Sequence, residues 1–348
     1  MRIFFVTLLM VICCSWVGVC TAQENKWRNG LQPQLSKDNA GVIRMVYGEN
    51  DTIYCTSSVN NGKTFSNPQL VAVVKDMHLG MSRGPQLASS AHYSMVAAID
   101  KKGTVHTFCL SHSTGKWMQC SNANDVANSA PEGLMNIAAD GQDNFYAVWL
   151  DIRNDKRNNI CFAKTTTRGR SWSANKLAYI SPDKSVCECC KPTITVRQSA
   201  VYIQFRNWLN GSRDLYLLSS YNGGRDFNQP IKLGTGTWKL NACPMDGGGL
   251  IVNEQQQVSS VWRRENKIYF SKPGEVETEI ATGRNCSISN PQQPIITWQE
   301  GDQLKVRDII KNTTLDAGKG GFLKAVKTKD DKIFCAWESD GQIIFTRL

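Results

Sequence analysis

The sequence predicts an all-β protein that folds as one β-propeller of four-stranded antiparallel blades. The first observation is a short turn motif that begins at Ser58, Ser111, Thr165 and Ser220, with spacings of 53, 54 and 55 residues. The second is that short runs rich in β-branched and aromatic residues flank these turns, while no segment shows the 3.6-residue period of an amphipathic helix. Regular repetition of small sheets is typical of a propeller, which leaves only short sheet edges unpaired.

Each turn motif combines a hydroxyl or amide side chain with a glycine and an aromatic residue, as in SVNNGKTF. The polar side chain can accept hydrogen bonds from turn amides, glycine adopts positive φ without strain, and the aromatic ring can pack between neighbouring units. We therefore predict structural roles for the motif residues, which include Ser58, Asn60, Gly62, Phe65, Thr165, Gly169, Trp172, Ser220, Asn222, Gly224 and Phe227.

The number of blades follows from counting the repeats. A degenerate fifth motif begins at Ser271, and two shorter strand pairs close the chain at 295–306 and 333–345. The count is seven blades, and six remains open because the last two units are short. Residues 27–31, ahead of the first unit, are expected to supply the outer strand of the last blade and close the ring.

The N-terminus predicts export. Arg2 precedes an apolar run at 3–19, and Cys20-Thr21-Ala22 follows, so residues 1–22 are interpreted as a signal peptide cleaved after Ala22. A lipoprotein anchored at Cys20 is the weaker alternative, because Val19 stands where a small residue is preferred. Residues 23–348 are then one domain, secreted or periplasmic, with no stretch of about 20 apolar residues that could span a membrane.

The charge balance limits the class of partner. A formal net charge of +10 favours acidic ligands such as carboxylated sugars. No basic run with interleaved aromatic residues is present, so a nucleic-acid partner is not expected. We expect an acidic glycan or sialoside as the partner, no cofactor, and a monomer.

The turn motifs resemble the Asp boxes of the sialidase (neuraminidase) superfamily, with Asn or Thr where Asp is usual. The segments AVWLDIRNDKRNNICFAKTTTRGRSW, VCECCKP and ACPMDGGG resemble bacterial exported, BNR-repeat sialidase-like proteins. The resemblance implies a sialidase-like propeller and, by extension, an exo-α-sialidase or related glycoside hydrolase. It also implies an Arg-Ile-Pro element in the first blade, where this chain has Val42-Ile43-Arg44-Met45. A non-catalytic propeller that binds a glycan or a protein is therefore the alternative.

Propeller topology predicts where a site would lie. The loops that lead into the innermost strand and those that follow the second strand share one face, opposite the turn motifs. Arginines on these loops can hold a sugar carboxylate, and carboxylates can cleave a glycosidic bond. The catalytic candidates are Asp151, Asp76, Glu132 and Asp246, and the substrate-binding candidates are Arg153, Arg206, Arg213, Arg83, Arg263 and Trp238.

Among these candidates Asp151 and Arg153 are the first choice. Two residues apart at the end of a strand, their side chains can lean the same way. They would then either bind a ligand together or form an ion pair that fixes their own loop.

Ten cysteines follow residue 22, and in an exported chain they predict disulfides. Several lie in the loops before consecutive blades, where they would be neighbours near the axis. The disulfide candidates are Cys109, Cys120, Cys187, Cys189, Cys190, Cys243 and Cys286. The alternative is a thiolate site for zinc or copper(I) formed by Cys187, Cys189, Cys190 and Cys243 with His78.

Overall fold

The computed structural model describes residues 25–183 and 185–348. Within these ranges the chain forms seven antiparallel sheets and no helix, and hence none long and apolar enough to span a membrane. The predicted all-β propeller with seven blades is confirmed, and the six-bladed alternative is wrong. The predicted signal peptide, residues 1–22, lies outside the described residues.

The first three blades follow a short leading strand, β1 (Asn25–Asn29). Their strands, in chain order and from the axis outward, are β2 (Leu31–Lys37), β3 (Ile43–Glu49), β4 (Thr52–Ser58) and β5 (Gln69–Val73); β6 (Gln86–Ser89), β7 (Tyr93–Ile99), β8 (Val105–Ser111) and β9 (Trp117–Gln119); and β10 (Met135–Ala139), β11 (Phe145–Asp151), β12 (Asn159–Thr165) and β13 (Lys176–Tyr179).

The fourth blade has an additional strand, β14 (Ser185–Val186), which pairs with the second strand of that blade. The remaining strands are β15 (Thr193–Arg197), β16 (Ala200–Trp208), β17 (Leu215–Ser220) and β18 (Ile231–Lys232); β19 (Gly249–Val252), β20 (Val258–Arg264), β21 (Lys267–Ser271) and β22 (Thr278–Thr282); β23 (Arg284–Ser289), β24 (Ile295–Glu300), β25 (Gln303–Asp308) and β26 (Thr313–Lys319); and β27 (Gly321–Lys327), β28 (Ile333–Ser339) and β29 (Gln342–Arg347).

The ring closes through the two ends of the chain. The innermost strands β2, β6, β10, β15, β19, β23 and β27 contact one another in that order, and β27 contacts β2. The last blade takes its outer strand from β1, which pairs antiparallel with β29, Asn25 opposite Phe345 and Asn29 opposite Gln342. The expected closure by the segment before the first unit is therefore confirmed.

The apolar core lies between neighbouring blades. Trp149 of the third blade packs in one cluster with Met95 of the second, and Trp337 of the seventh packs with Val306 of the sixth. Both tryptophans are fully buried, so each contributes a large apolar area to the contact between sheets. Packing of this kind holds the blades at fixed positions around the axis.

The turn motifs provide further contacts between blades, on the face opposite the candidate site. The hydroxyl oxygens of Ser58, Thr165 and Ser220 accept the amides of Gly62, Gly169 and Gly224 at 2.9, 3.0 and 3.0 Å. The aromatic residue then packs on the preceding blade around the ring, with ring centroids 5.0 Å apart for Phe65 and Phe334 and 5.2 Å apart for Phe227 and Phe162. In the same way Trp172 packs against the core between the second and third blades.

Candidate functional site

An axial channel runs through the ring and opens into a pocket. The channel, about 220 Å³, is lined by residues from all seven innermost strands. The pocket, about 500 Å³, lies among loops of the face opposite the turn motifs, and Asn285 and Phe322 line both spaces. We call this space the mouth pocket. Its wall includes Arg263, Arg284, Gln299, Glu338, Met81, Met245 and Phe322.

Glu338 is the carboxyl group that the mouth pocket partly buries. It follows the apolar part of β28, and its Oε2 accepts hydrogen bonds from the amide and side chain of Gln32, at 2.6 and 3.2 Å. A bulge in β2 after Leu31 places Gln32 there, with φ of 55°. Burial raises the pKa of Glu338, although the bonds from Gln32 oppose the rise. The carboxyl therefore keeps its proton to a higher pH than an exposed glutamate does.

Arg263 and Arg284 supply positive charge to the mouth pocket. Arg263 lies near the end of β20, with its guanidinium 5.7 Å from the ring of Trp238 and bonded to backbone carbonyls of Glu265 and Pro244. Arg284 begins β23 and is exposed. Among the described residues neither guanidinium has a carboxylate partner. Both are therefore available to an anionic ligand.

Two lysines add positive charge inside the channel. Lys191 donates a hydrogen bond to Gln86 Oε1 at 3.2 Å. Burial, and next the charge of Lys324, lower the pKa of Lys191 to about 7. Burial also lowers the pKa of Lys324, against the opposing influence of Cys286 and Asp246. An anion in the channel would stabilise the charged form of both lysines.

The loop before the fifth blade forms the wall between the channel and the mouth pocket. Asp246, in the segment ACPMDGGG, is buried there and accepts the amide of Asn285 at 2.8 Å. A Cβ on Gly247 would lie 2.0 Å from the carbonyl oxygen of Lys191, so glycine is needed for the loop to pass this close. Asp246 thus holds two loops together at the channel wall.

Several of the predicted binding residues gather around this wall. Arg206 is 1% exposed and donates to the carbonyl oxygens of Asp246, Arg213 and Arg263, with its bond to Arg263 at 2.8 Å. Its guanidinium also lies 5.4 Å from the ring of Trp238. The structure therefore brings together five predicted residues, Arg206, Arg213, Arg263, Asp246 and Trp238. Arg206 holds their loops by hydrogen bonds and does not line the mouth pocket.

Arg213 faces a cluster of thiols. It is buried and donates to Cys187 Sγ at 3.1 Å, while Cys190 Sγ and Cys189 Sγ lie 3.1 and 3.6 Å from the same sulfur. Hydrogen bonds from Cys189 and Cys190, followed by the charges of Arg206 and Arg213, lower the pKa of Cys187 well below its usual value.

All ten described cysteines are free thiols, so the structure does not show the expected disulfides. The disulfide candidates Cys109 and Cys120 are neighbouring free thiols. Cys243 lies beside Cys189 and is exposed. Cys286 is separate from the thiol cluster, buried with its Sγ 3.9 Å from Asp246 Oδ1.

Asp151 and Arg153 lie elsewhere, between the second and third blades. Asp151 is fully buried and accepts hydrogen bonds from Trp149 Nε1 at 2.8 Å and from Arg153 Nε and Nη2 at 2.8 and 2.9 Å. Arg153 also pairs with Asp125 at 2.7 Å and bonds Asn175 at 2.8 Å. This geometry favours a structural ion pair, because Asp151 is fully buried and Arg153 is held by Asp151, Asp125 and Asn175 together.

The other predicted residues of this face lie outside the mouth pocket. Asp76 is exposed beside an outer groove of about 370 Å³ between the first two blades. Arg83 Nε donates to the carbonyl oxygen of Glu132 at 2.6 Å, and the two side chains lie 3.6 Å apart. His78 packs against Gly133, and it is not part of the thiol cluster. These four residues do not line the mouth pocket.

Four charged residues of the channel and mouth were not singled out from the sequence. Glu338 and Arg284 occupy the predicted kinds of loop, so the signal was present but did not distinguish them from other loop residues. Lys191 and Lys324 lie in or next to innermost strands. A lysine at such a position in a propeller repeat is the signal that could have identified the channel as positively charged.

No protein-family model matches this chain, and no curated protein matches its sequence. Solved structures of similar fold do match. A polysaccharide lyase, an ulvan lyase bound to -[GlcA(1-4)Rha3S]-, has a TM-score of 0.55 at 10% identity over 92% of this chain and 93% of the other. The SapL1 lectin in complex with α-methyl fucoside has 0.54 at 11% identity over 84% and 97%.

A sialidase of Trypanosoma rangeli in complex with the inhibitor DANA has a TM-score of 0.51 at 11% identity, over 92% of this chain and 55% of that chain. Likeness at these identities shows a shared fold. The propeller architecture is therefore common to this chain and to a sialidase, a lyase and a lectin, while the residues of the site have to be interpreted from their own geometry.

Proposed function

We propose that the protein binds an acidic glycan in the mouth pocket. The observation that carries the proposal is a pair of arginines, Arg263 and Arg284, without carboxylate partners at the rim of a pocket of about 500 Å³. A guanidinium can hold a sugar carboxylate or sulfate with two parallel hydrogen bonds. The channel lysines Lys191 and Lys324 lie beneath the pocket and add to its attraction for anions.

The rest of the wall suits a sugar ring. Phe322, Met81 and Met245 offer apolar surface, and Gln299 and Asn285 offer amides that can bond hydroxyl groups. A pocket with a few polar groups among apolar side chains is typical of small-ligand sites. The similar solved structures that hold a uronate-containing oligosaccharide, a fucoside and DANA support a glycan as the ligand class. If the chain is exported by cleavage at Ala22, as we propose, it would meet such glycans outside the cytoplasm.

Cleavage of the bound glycan is the second candidate function. It rests on Glu338, whose pKa is raised by burial, as is typical of carboxyl groups that donate or accept protons in catalysis. Exo-α-sialidase activity is the specific form that the resemblance implies, and Asp151 remains the alternative catalytic residue from the sequence. The two carboxyl groups can be separated experimentally, because only Glu338 lines the mouth pocket.

A glycan array of matched acidic and neutral oligosaccharides tests binding. Wild-type protein should retain uronate-, sialate- or sulfate-bearing glycans, and Arg284→Ala should lose that retention. Binding of neutral glycans alone, or equal retention by Arg284→Ala, would contradict the proposal. Arg225→Ala is the matched control, because Arg225 is exposed on the opposite face.

Turnover is tested separately on the acidic glycans that bind and on methylumbelliferyl sialoside. New reducing ends, an unsaturated uronate product or released methylumbelliferone would each report cleavage. Loss of turnover in Glu338→Gln with retention in folded Asp151→Asn would support the mouth pocket as the catalytic site. The reverse pattern would place catalysis at Asp151, and no turnover by wild type would remove the enzyme candidate while leaving the binding proposal intact.

A further inference from the structure

The thiol cluster at the start of the fourth blade has the composition of a metal site. The Sγ atoms of Cys187, Cys189 and Cys190 all lie within 4.8 Å of one another. Cys243, from the loop before the next blade, is exposed and interacts with Cys189, but its sulfur lies outside this group of three. The four cysteines come from two loops that the propeller brings together, so the site depends on the fold and not on one short peptide.

The sulfur spacing fits one ion. Around a tetrahedral ion with metal–sulfur distances of about 2.3 Å, sulfurs lie about 3.8 Å apart. The separations of 3.1 and 3.6 Å from Cys187 lie slightly below this value, and no pair in the trio is more than 4.8 Å apart. The same separations exceed the roughly 2.05 Å of a disulfide bond. The side chain of Cys243 would have to rotate towards the trio to complete a tetrahedral set.

The surroundings provide charge balance and access. Arg213 donates to Cys187 Sγ at 3.1 Å, which is the kind of outer contact that orients a ligand and offsets thiolate charge. Cys187 and Cys190 are buried, whereas Cys189 is half-buried and Cys243 is exposed. An ion can therefore enter from the surface near Cys243 and reach the buried thiols of Cys187 and Cys190.

We propose that Cys187, Cys189, Cys190 and Cys243 bind one thiophilic closed-shell metal ion, Zn²⁺ or Cu⁺. Sulfur-only ligand sets select these ions over harder cations such as Mg²⁺ or Ca²⁺. Each thiol that binds releases its proton to solvent, so binding is accompanied by proton release. None of the chain's four histidines contacts the thiol cluster, so the site differs from the version with His78.

The test uses the full exported-form chain, purified without metal under anaerobic reducing conditions. Zn²⁺ is titrated in competition with a chromophoric chelator, and Cu⁺, supplied as its acetonitrile complex, in competition with bicinchoninate. One equivalent of at least one ion should bind, and the tighter competition identifies which. Cys189→Ser and Cys243→Ser should each weaken binding by more than the roughly 10- to 100-fold typical of losing an outer contact.

Cys120→Ser is the matched control, because Cys120 is also a partly exposed thiol with a thiol neighbour, outside the cluster. It should bind metal as wild type does. Near-ultraviolet circular dichroism confirms that Cys189→Ser and Cys243→Ser remain folded. No stoichiometric binding of either ion, equal binding by the cluster variants, or mass spectrometry of the anaerobic protein showing a disulfide between Cys187 and Cys190 would each overturn the proposal.

Discussion

Two groups of charged residues on one face of the propeller differ in how many hydrogen bonds they make within the protein. Between the second and third blades, Asp151 accepts four hydrogen bonds from Arg153 and Trp149. At the mouth pocket, Arg263 and Arg284 have no carboxylate partner among the described residues. The charged groups of Asp151 and Arg153 are therefore bonded to each other and to their neighbours. The guanidinium groups of Arg263 and Arg284 can still bond a ligand.

The position of a charged residue in the ring therefore determines whether it stabilises the fold or can bind a ligand. A pair at the boundary of two blades is enclosed by both sheets, where buried charges require internal partners. Arg263 and Arg284 instead line the mouth pocket, where they have no carboxylate partner among the described residues. The first kind should therefore affect stability, and the second should affect binding.

The largest effect is expected for Asp151→Ala. Removing the carboxylate leaves Arg153 and the indole N–H of Trp149 without their partner, which should lower the free energy of unfolding by about 3 kcal/mol. Urea unfolding followed by tryptophan fluorescence measures the change. Asp155→Ala, in the same loop but exposed, is the control and should change little. Equal stability of both variants would show that the blade-boundary pair is not structural.

Arg284→Ala should show the opposite behaviour. Affinity for an acidic glycan should fall by about 10- to 100-fold, since a charge-assisted hydrogen bond contributes roughly 1.5–3 kcal/mol. The free energy of unfolding should stay within about 0.5 kcal/mol of wild type, because Arg284 is exposed. Calorimetric titration and urea unfolding of the same preparation measure both quantities. A large loss of stability would show that Arg284, like Asp151, has a structural role.

Lys191→Met tests the channel without touching the mouth pocket. The pKa of Lys191 falls from 10.5 to about 7 on folding, so its charged form is disfavoured in the folded protein. Between these two values the unfolded chain binds more protons, and wild-type stability should rise with pH. The variant should be more stable by about 1 kcal/mol at pH 6, with the gain shrinking towards pH 10. The same comparison with exposed Lys101→Met should give no pH-dependent gain.

The smallest change in stability is expected for Glu338→Gln. The folded pKa of Glu338 lies above its unfolded value, so the carboxylate costs stability once pH rises through the folded pKa. The variant should gain up to about 0.5 kcal/mol at pH 7 and nothing near pH 4. Glu300→Gln, at the matching strand end of the sixth blade and exposed, is the control. A gain at pH 4 or a loss at pH 7 would contradict the raised pKa.

The sequence was sufficient to predict the propeller because the repeat is local. The turn from Ser220 to Phe227 and its counterparts carry their own hydroxyl acceptor, glycine and aromatic ring, so their spacing predicted repeated blades. The count of seven also needed the two shorter strand pairs near the C-terminus, and it left six open. Convergence of the entry loops also predicted neighbouring cysteines, and Cys187, Cys189 and Cys190 do lie together, whereas Cys286 of the sixth blade lies apart, against Asp246.

The choice of site residues was harder to make from sequence. The spacing of Asp151 and Arg153 predicted that their side chains could act together. It does not reveal that Asp125 and Asn175, from other parts of the chain, also bond Arg153. Glu338 lies 306 residues from Gln32, its hydrogen-bond donor. Partners at such separations become visible only once the ring is closed and the depth of each side chain is known.

The most direct test of the mouth pocket is a cycle of calorimetric titrations. An acidic oligosaccharide that binds and its carboxyl-reduced counterpart are titrated into wild type, Arg284→Ala and Asp151→Asn. Carboxyl reduction should weaken binding by at least about tenfold in wild type and in folded Asp151→Asn, and by clearly less in Arg284→Ala, which retains only Arg263. The same penalty in all three proteins would show that the carboxylate is recognised outside the mouth pocket.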